Sequence, residues 1–328
     1  MQICLPRGLE LLCKASQTCF DPGRRDGHPG MPGSATTSDN DPRGIQMKRK
    51  LAALATATIL SVALSVGAQA QTIEFVAGQL GGGWYTMATG MAKLLQDKNA
   101  GLQLRVVPGG GTANPTKIQQ GQSQIGMGLD IFAKAARDGT EIYAGNPHTK
   151  LMMLGQSFSD NYLHVMRAEG ATLGFEDIFK AKNVKIGVTK AGSSDEMSYR
   201  FAMEYFGTSY DKMRANGARI VQGDYNELAS AWKDKHVDYM FIVLGIPGAA
   251  VIDMGQGRKG ELLAWPESLA AAMSKKYGYS RGAFPATTYP AFQTGPVATI
   301  IMATTLMISS DVSDDIAYKI TKIGRAHV

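Results

Sequence analysis

From Thr72 onward the chain alternates short apolar runs with stretches whose apolar residues recur every three or four positions. Thr72–Ala77 (TIEFVA) is rich in β-branched and aromatic residues and predicts a strand. Met87–Leu95 (MATGMAKLL) spaces its apolar residues along one face of a helix. Leu102–Val107 predicts a second strand, Pro115–Gln122 a short helix, and Gln124–Gly128 (QIGMG) a third strand. Lys150–Gln156 and Tyr162–Arg167 predict two more. A second cycle opens at Val184–Val188 (VKIGV) and continues with a helix over Asp195–Phe206 and a strand over Arg219–Gln222. It closes with a helix over Tyr225–Lys233 and a strand over Val237–Val243. Strands alternating with helices call for a parallel sheet covered by helices, so the fold class is α/β. Because one strand–loop–helix–strand–helix–strand unit occurs twice, the pattern predicts two lobes with a cleft between them.

In open parallel sheets ligands sit beyond the carboxyl ends of the strands, where glycine lets backbone N–H groups approach closely. Four loops fall there: Gly78–Tyr85 (GQLGGGWY), Pro108–Asn114 (PGGGTAN), Ala191–Asp195 (AGSSD) and Leu244–Gly248 (LGIPG). The third is the sharpest physically. Gly192 supplies backbone freedom, Ser193 or Ser194 is a natural N-cap for the helix beginning near Asp195, and such a helix start can seat a carboxylate. Plain capping without a ligand is the competing reading of that loop. Trp84 and Tyr85 are placed to wall a small-molecule pocket, or to serve the core. GQLGGGW lacks the Lys-Ser/Thr of a phosphate loop and the spacing of a dinucleotide loop, so nucleotide binding is discounted.

The ends change the picture. Met47 is followed by Lys48-Arg49-Lys50, an apolar run from Leu51 to Val66, and the small-residue close Ala68-Gln69-Ala70. That order reads as a secretory signal over residues 47–70, cleaved before Gln71, and the run is short of the roughly 20 apolar residues a membrane span needs. The signal lies 46 residues into the chain, so residues 1–46 read as a gene-model artefact or a disordered extension, with Met47 the expected start. At the other end Ile323–Val328 (IGRAHV) back-translates to sequencing-adapter sequence. A suspected adapter-derived tail over residues 323–328 therefore leaves the natural chain interrupted near Lys322, short of a final helix. Over residues 71–322 the composition gives 25 Lys+Arg against 23 Asp+Glu, a net +2, in place of +6 for the whole chain. Nucleic-acid binding finds no support in that balance. All three cysteines (Cys4, Cys13, Cys19) precede the signal, so the mature chain has no disulfide framework and no thiolate chemistry. The mature product is read as exported, periplasmic and not membrane-spanning.

Taken in order, the Gly-rich loop ending in an aromatic pair, PGGGTANPTKIQQGQSQIGMG, KIGVTKAGSSDEMSYRFAMEYFG and above all YGYSRGAFPATTYP resemble one family closely. The chain resembles the TAXI-type solute receptors of tripartite ATP-independent periplasmic (TRAP) transporters over essentially all of residues 72–322. The resemblance implies a type II-like, two-lobed periplasmic binding protein. Each lobe would be a mostly parallel sheet with helices on both faces, the ligand cleft lying between the lobes. It implies capture of a small organic anion or amino acid, glutamate-like or another carboxylate, and delivery to a sodium-coupled TRAP permease. Matched to the family's ligand-facing segments, the candidate contacts are Gly83, Trp84, Tyr85, Gly110, Thr112, Asn114, Gly192, Ser193, Ser194, Asp195, Gly245 and Pro247. The second loop departs from the family, which more commonly reads Ser-Val-Glu-Asn-Leu where this chain has GGGTANPTKI. No Arg occurs in the four loops, so neutral donors are expected to hold the ligand.

Residues 71–160 are expected to form the first part of lobe I, 161–290 lobe II, and 291–322 the return to lobe I. Strands near Tyr162–Arg167 and Val297–Met302 would carry the chain between lobes as a hinge. An enzyme needs a convergent constellation. Ser193 or Ser194 has no G-x-S-x-G elbow around it, and His148, His164 and His236 are isolated, without zinc-ligand spacing. No catalytic residue, metal or cofactor is therefore assigned. The competing readings are a binding protein of an ATP-driven importer and a periplasmic hydrolase.

Overall fold

The structure is a computed structural model that describes residues 71–98 and 102–325. The export segment 47–70, residues 1–46 and the last three residues of the suspected tail lie outside the described residues. The first half is built from β1 (Gln71–Val76), α1 (Gly83–Lys98), β2 (Leu102–Val107), α2 (Asn114–Gln119), β3 (Ile125–Leu129) and α3 (Asp130–Asp138). An 18-residue strand, β4 (Leu151–Ala168), leads out of it. The second half holds β5 (Lys185–Thr189), α4 (Ser194–Tyr205), α5 (Tyr210–Ala215), β6 (Arg219–Gly223), α6 (Tyr225–Lys233) and β7 (Tyr239–Leu244). It continues through α7 (Ala249–Gly257), β8 (Gly260–Leu262), α8 (Glu267–Tyr277) and β9 (Ser280–Phe284). A second long strand, β10 (Val297–Ser309), returns to the first half, where α9 (Asp314–Arg325) packs.

All ten strands hydrogen-bond in one sheet, in the order β2-β1-β3-β10-β4-β7-β5-β6, with β8 added to β4 and β9 to β10. Each half is a parallel trio, β2-β1-β3 and β6-β5-β7. Antiparallel β4 and β10 lie between the trios and belong to both. β10 pairs with β9 over Val297–Ile301 and with β3 over Thr304–Ile308, while β4 pairs with β10 first and with β7 over Tyr162–Arg167. The two long strands thus pass from one half to the other side by side. At the passage Asp160 lies opposite Ala303 and Gln156 opposite Thr305, so Ser157, Phe158 and Ser159 bulge against the single residue Thr304. The two strands expected over 150–167 are therefore one strand, and the break in their apolar pattern is this bulge.

Burial on both faces explains the composition of the inner strands. Every residue of β3 and β7 is buried, which requires the continuous apolar or glycine runs IGMGL and YMFIVL. Along β7, Phe241 and Val243 join the core with Val188, Tyr199 and Trp265, whereas Met240 and Ile242 join the opposite core with Leu228, Trp232 and Phe292. In the first half, α1 and α9 cover Ile73, Phe75, Leu306 and Ile308. Local chemistry sets the helix limits. Asp224 and Glu227 close a capping box on α6, and left-handed Gly139 ends α3. The α3 segment follows β3 without an intervening loop, so its period is hidden in the sequence. Among the described residues no helix is long and apolar enough to cross a membrane.

Candidate ligand-binding cleft

Beyond the carboxyl ends of the parallel strands the two halves enclose a cavity of about 670 Å³. That is within the usual range of small-molecule sites. Its walls are the loops after β1, β2, β5 and β7, the first turns of α1, α4 and α7, and the passage of β4 at Ser159–Tyr162. Eight of the lining residues are glycines, and Gly83, Trp84, Gly110, Ser193, Ser194, Asp195, Gly245 and Pro247 are all among the lining residues.

Tyr85, Thr112, Asn114 and Gly192 lie behind that wall. Tyr85 is one helical step round from Trp84 and packs on the core beneath α1. Thr112 is buried, its carbonyl accepting from the Tyr143 hydroxyl at 2.7 Å. Asn114 is fully buried and works as a brace. Its Oδ1 accepts from Gly110 N–H at 2.9 Å, and its Nδ2 donates to the carbonyls of Ala77 (2.6 Å) and Met127 (2.8 Å). It thereby ties the second loop to the ends of β1 and β3. Gly192 adopts φ +89°, which an L side chain rarely takes, and turns the third loop into α4.

The start of α4 is strongly self-satisfied. Ser193 is its N-cap, the Oγ accepting from Glu196 N–H at 3.1 Å and lying 2.5 Å from the Thr189 hydroxyl. Asp195 Oδ1 accepts from Val243 N–H at 2.7 Å and lies 3.0 Å from the Tyr225 hydroxyl, which also faces the Val243 carbonyl at 2.8 Å, while Oδ2 meets Ser194 Oγ at 3.2 Å and the carboxylate also takes a bond from its own amide. Burial pushes the Asp195 carboxyl up to about 6, against the lowering effect of these hydrogen bonds. Burial, with the Asp195 carboxylate adding to it, keeps the Tyr225 phenol protonated.

Four glycines of the first two loops, Gly81, Gly82, Gly110 and Gly111, abut the other half of the molecule. A Cβ on Gly110 would lie 2.3 Å from the Gly192 carbonyl oxygen, and one on Gly111 2.9 Å from Ser194 Cβ. Cβ atoms on Gly81 and Gly82 would strike Asn226 Oδ1 at 2.4 Å and Tyr225 at 2.8 Å. A backbone hydrogen bond, Ala113 N–H to the Gly192 carbonyl at 3.0 Å, crosses the same seam. Close approach of the halves, rather than approach to a phosphate, accounts for these glycines.

Several lining residues escape motif reading: Gln79, Thr86, Met87, Ser159–Tyr162 and Tyr225. The break between the two expected strands is the one sequence signal that marks 157–161. At the passage the buried Thr304 hydroxyl gathers Trp84 Nε1 (3.0 Å), Asn161 Nδ2 (2.6 Å) and Ser159 Oγ (2.8 Å), joining α1, β4 and β10 behind the cavity. His148 lies against Thr116 and the Asn146 carbonyl, and His164 against Tyr289 and the Tyr162 carbonyl, so neither imidazole is in the cleft lining. Among the described residues no group of three or more His, Cys, Asp or Glu side chains is placed to hold a metal ion.

These features define a mixed α/β protein whose two sheet halves share two long strands and enclose a small-molecule cavity. The chain belongs to the NMT1-like family, which matches residues 75–324. No curated protein matches its sequence. Among solved structures it is similar to a Bordetella pertussis extracytoplasmic solute receptor binding pyroglutamic acid (12% identity, 78% of each chain covered, TM-score 0.42). It is also similar to MatC from Rhodopseudomonas palustris with bound malate (14% identity, 78% of this chain and 84% of that one, TM-score 0.48). A third similar structure is a TRAP periplasmic solute binding protein from Ochrobactrum anthropi (16% identity, 79% of this chain and 75% of that one, TM-score 0.39).

Proposed function

We propose that the chain is a periplasmic solute-binding receptor of the TAXI type, which captures a small carboxylate or amino acid and passes it to a TRAP permease. One observation carries this reading: the cavity lies between two halves that share the paired strands β4 and β10 at its floor, with glycine seams that let the halves meet around it. In this reading residues 71–160 and 291–322 form lobe I, residues 161–290 form lobe II, and the passage of β4 and β10 is the hinge. Closing would trap the solute against backbone N–H groups and the first turns of α1 and α7, and the permease would recognise the closed shape. The eight predicted residues that line the cavity, Trp84 among them, are proposed contacts. Tyr85, Thr112, Asn114 and Gly192 shape the loops that carry those contacts. A solute that binds the folded form alone raises its stability by about 2.7 kcal/mol at a hundredfold excess over Kd. Thermal-shift measurements against carboxylates and amino acids, paired with small-angle scattering, test the proposal. The expected outcome is a raised melting temperature together with a more compact scattering curve. Turnover of an ester or amide without any shift would replace it with the hydrolase reading.

A further inference from the structure

The short helix α3 belongs to both halves. Its later residues Ala133, Ala135 and Ala136 pack in a first-half core with Ile118 and Met307. Phe132, in its first turn, instead joins the core around Tyr199, Phe241 and Trp265, and stacks on Phe201 of α4 with ring centroids 6.4 Å apart. Any rotation of the halves about β4 and β10 therefore acts on the start of α3. Asp130, the first residue of that helix, marks the place where β10 changes partners. On one edge β10 pairs with β9 over Val297–Ile301 and with β3 from Thr304 onward, leaving Met302 and Ala303 between the two partner strands. β3 stops at Leu129, opposite Thr304, because the chain turns directly into α3. The Asp130 carboxylate takes over at that point. Its Oδ1 accepts from Ala303 N–H at 3.2 Å and from Ile131 N–H at 2.9 Å. One oxygen thus extends the ladder into the flexure and holds the start of α3. Asp130 is absent from the cleft lining and lines two grooves outside it, so it is not a solute contact.

Resting on the hinge reading proposed above, we infer that Asp130 is a positioning residue for solute capture: its carboxylate clamps the flexure of β10 to α3 and so sets how readily the halves close. A hydrogen bond to an ionised acceptor is stronger than one between neutral groups, which suits a joint that must survive repeated bending. Without the clamp, Met302 and Ala303 are free to sample bends other than the one that brings the halves together. The binding-competent form is then a smaller share of the population, and apparent affinity falls in proportion although no solute contact has changed.

Two variants separate the clamp from a plain helix start. Asp130→Asn keeps an oxygen at the same reach, whereas Asp130→Ser keeps a residue favoured at helix starts but falls short of Ala303. Amide hydrogen exchange of the ligand-free protein, read at Ala303, should quicken about tenfold in Asp130→Ser and less than about threefold in Asp130→Asn. The amides of Val188 and Phe241, in the parallel pairing of β5 with β7, should be unchanged in both. Calorimetric titration with the tightest binder from a panel of L-amino acids and dicarboxylates should show about tenfold weaker binding in Asp130→Ser, and an affinity within about threefold of wild type in Asp130→Asn. Unchanged exchange at Ala303 in Asp130→Ser, or an asparagine variant as impaired as the serine one, overturns the inference and leaves solute binding standing. Faster exchange with unaltered affinity also overturns it, because the bond then serves the fold alone. A panel with no binder for wild type overturns the solute-binding reading instead, and the inference falls with it.

Discussion

Replacing Gly110 with alanine isolates the contact between the halves. The added Cβ would meet the Gly192 carbonyl oxygen at 2.3 Å, its carbonyl carbon at 2.9 Å and Ser193 Cα at 3.1 Å. All three are backbone atoms across the seam, so no side-chain rotation can relieve the overlap. Separations below 3.0 Å are essentially never seen for a real Cβ, and the halves must part by roughly 1 Å at this point. Such crowding costs about 1–3 kcal/mol, and losing the Ala113–Gly192 hydrogen bond costs about 1 kcal/mol more. The closed form is therefore disfavoured by about 2–4 kcal/mol, which weakens any ligand that requires closure by roughly 30- to 1,000-fold. The halves also share a core, with Leu129 and Phe132 of the first packed among residues of the second, so part of this cost should appear as a lower unliganded melting temperature. Calorimetric titration and ligand-dependent scattering read the effect. A variant that binds within about threefold of wild type, and compacts as wild type does, would falsify the closure role assigned to this glycine.

Three further outcomes are expected. Gly90 lies exposed inside α1, and an added methyl there would have no neighbour within 4 Å, so Gly90→Ala should stabilise by about 1 kcal/mol and raise the melting temperature by about 2–4 °C. An unchanged or lower melt would contradict that. Thr304→Val keeps the shape but strips Trp84 Nε1 and Asn161 Nδ2 of their shared acceptor, and should cost about 2 kcal/mol or more in denaturant unfolding. A loss below about 0.5 kcal/mol would mean that the passage does not depend on this hydroxyl. The third outcome concerns pH. Burial lowers His164 from 6.5 to about 3, so below pH 6.5 the unfolded chain takes up a proton that the folded chain refuses. Stability therefore falls with falling pH by up to about 1.4 kcal/mol per pH unit from this group. Asp195, raised from 3.8 to about 6, acts in the opposite sense, because its folded form holds the proton that the unfolded form has released. Comparing wild type with His164→Asn between pH 6 and 4 isolates the first effect, and identical slopes would refute it.

Much of the architecture is legible in the amino-acid order because it depends on local period. TIEFV and YMFIVL read as strands since their burial demands apolar residues on one or both faces, and DYNE announces a helix start through its own hydrogen bonds. The glycine-rich loops are equally visible, and eight of the twelve residues singled out in them line the cavity. What the glycines do is not visible there. Whether Gly110 faces a ligand or the Gly192 carbonyl depends on where a segment 82 residues away is held, and only the shared sheet decides that. The same holds for Asn114, whose polar side chain suggests a ligand contact until three backbone partners are found around it. Likewise Thr304, an ordinary residue in an apolar strand, gathers its three partners only once β4 bulges beside β10. Sequence alone determined the strands of the two parallel trios, the helices between most of them and the glycine-rich loops that face the cleft, because those follow from neighbours along the chain. Tertiary structure decided which loop residues look inward, which seal the seam and where the acid lies, because those depend on contacts between distant segments.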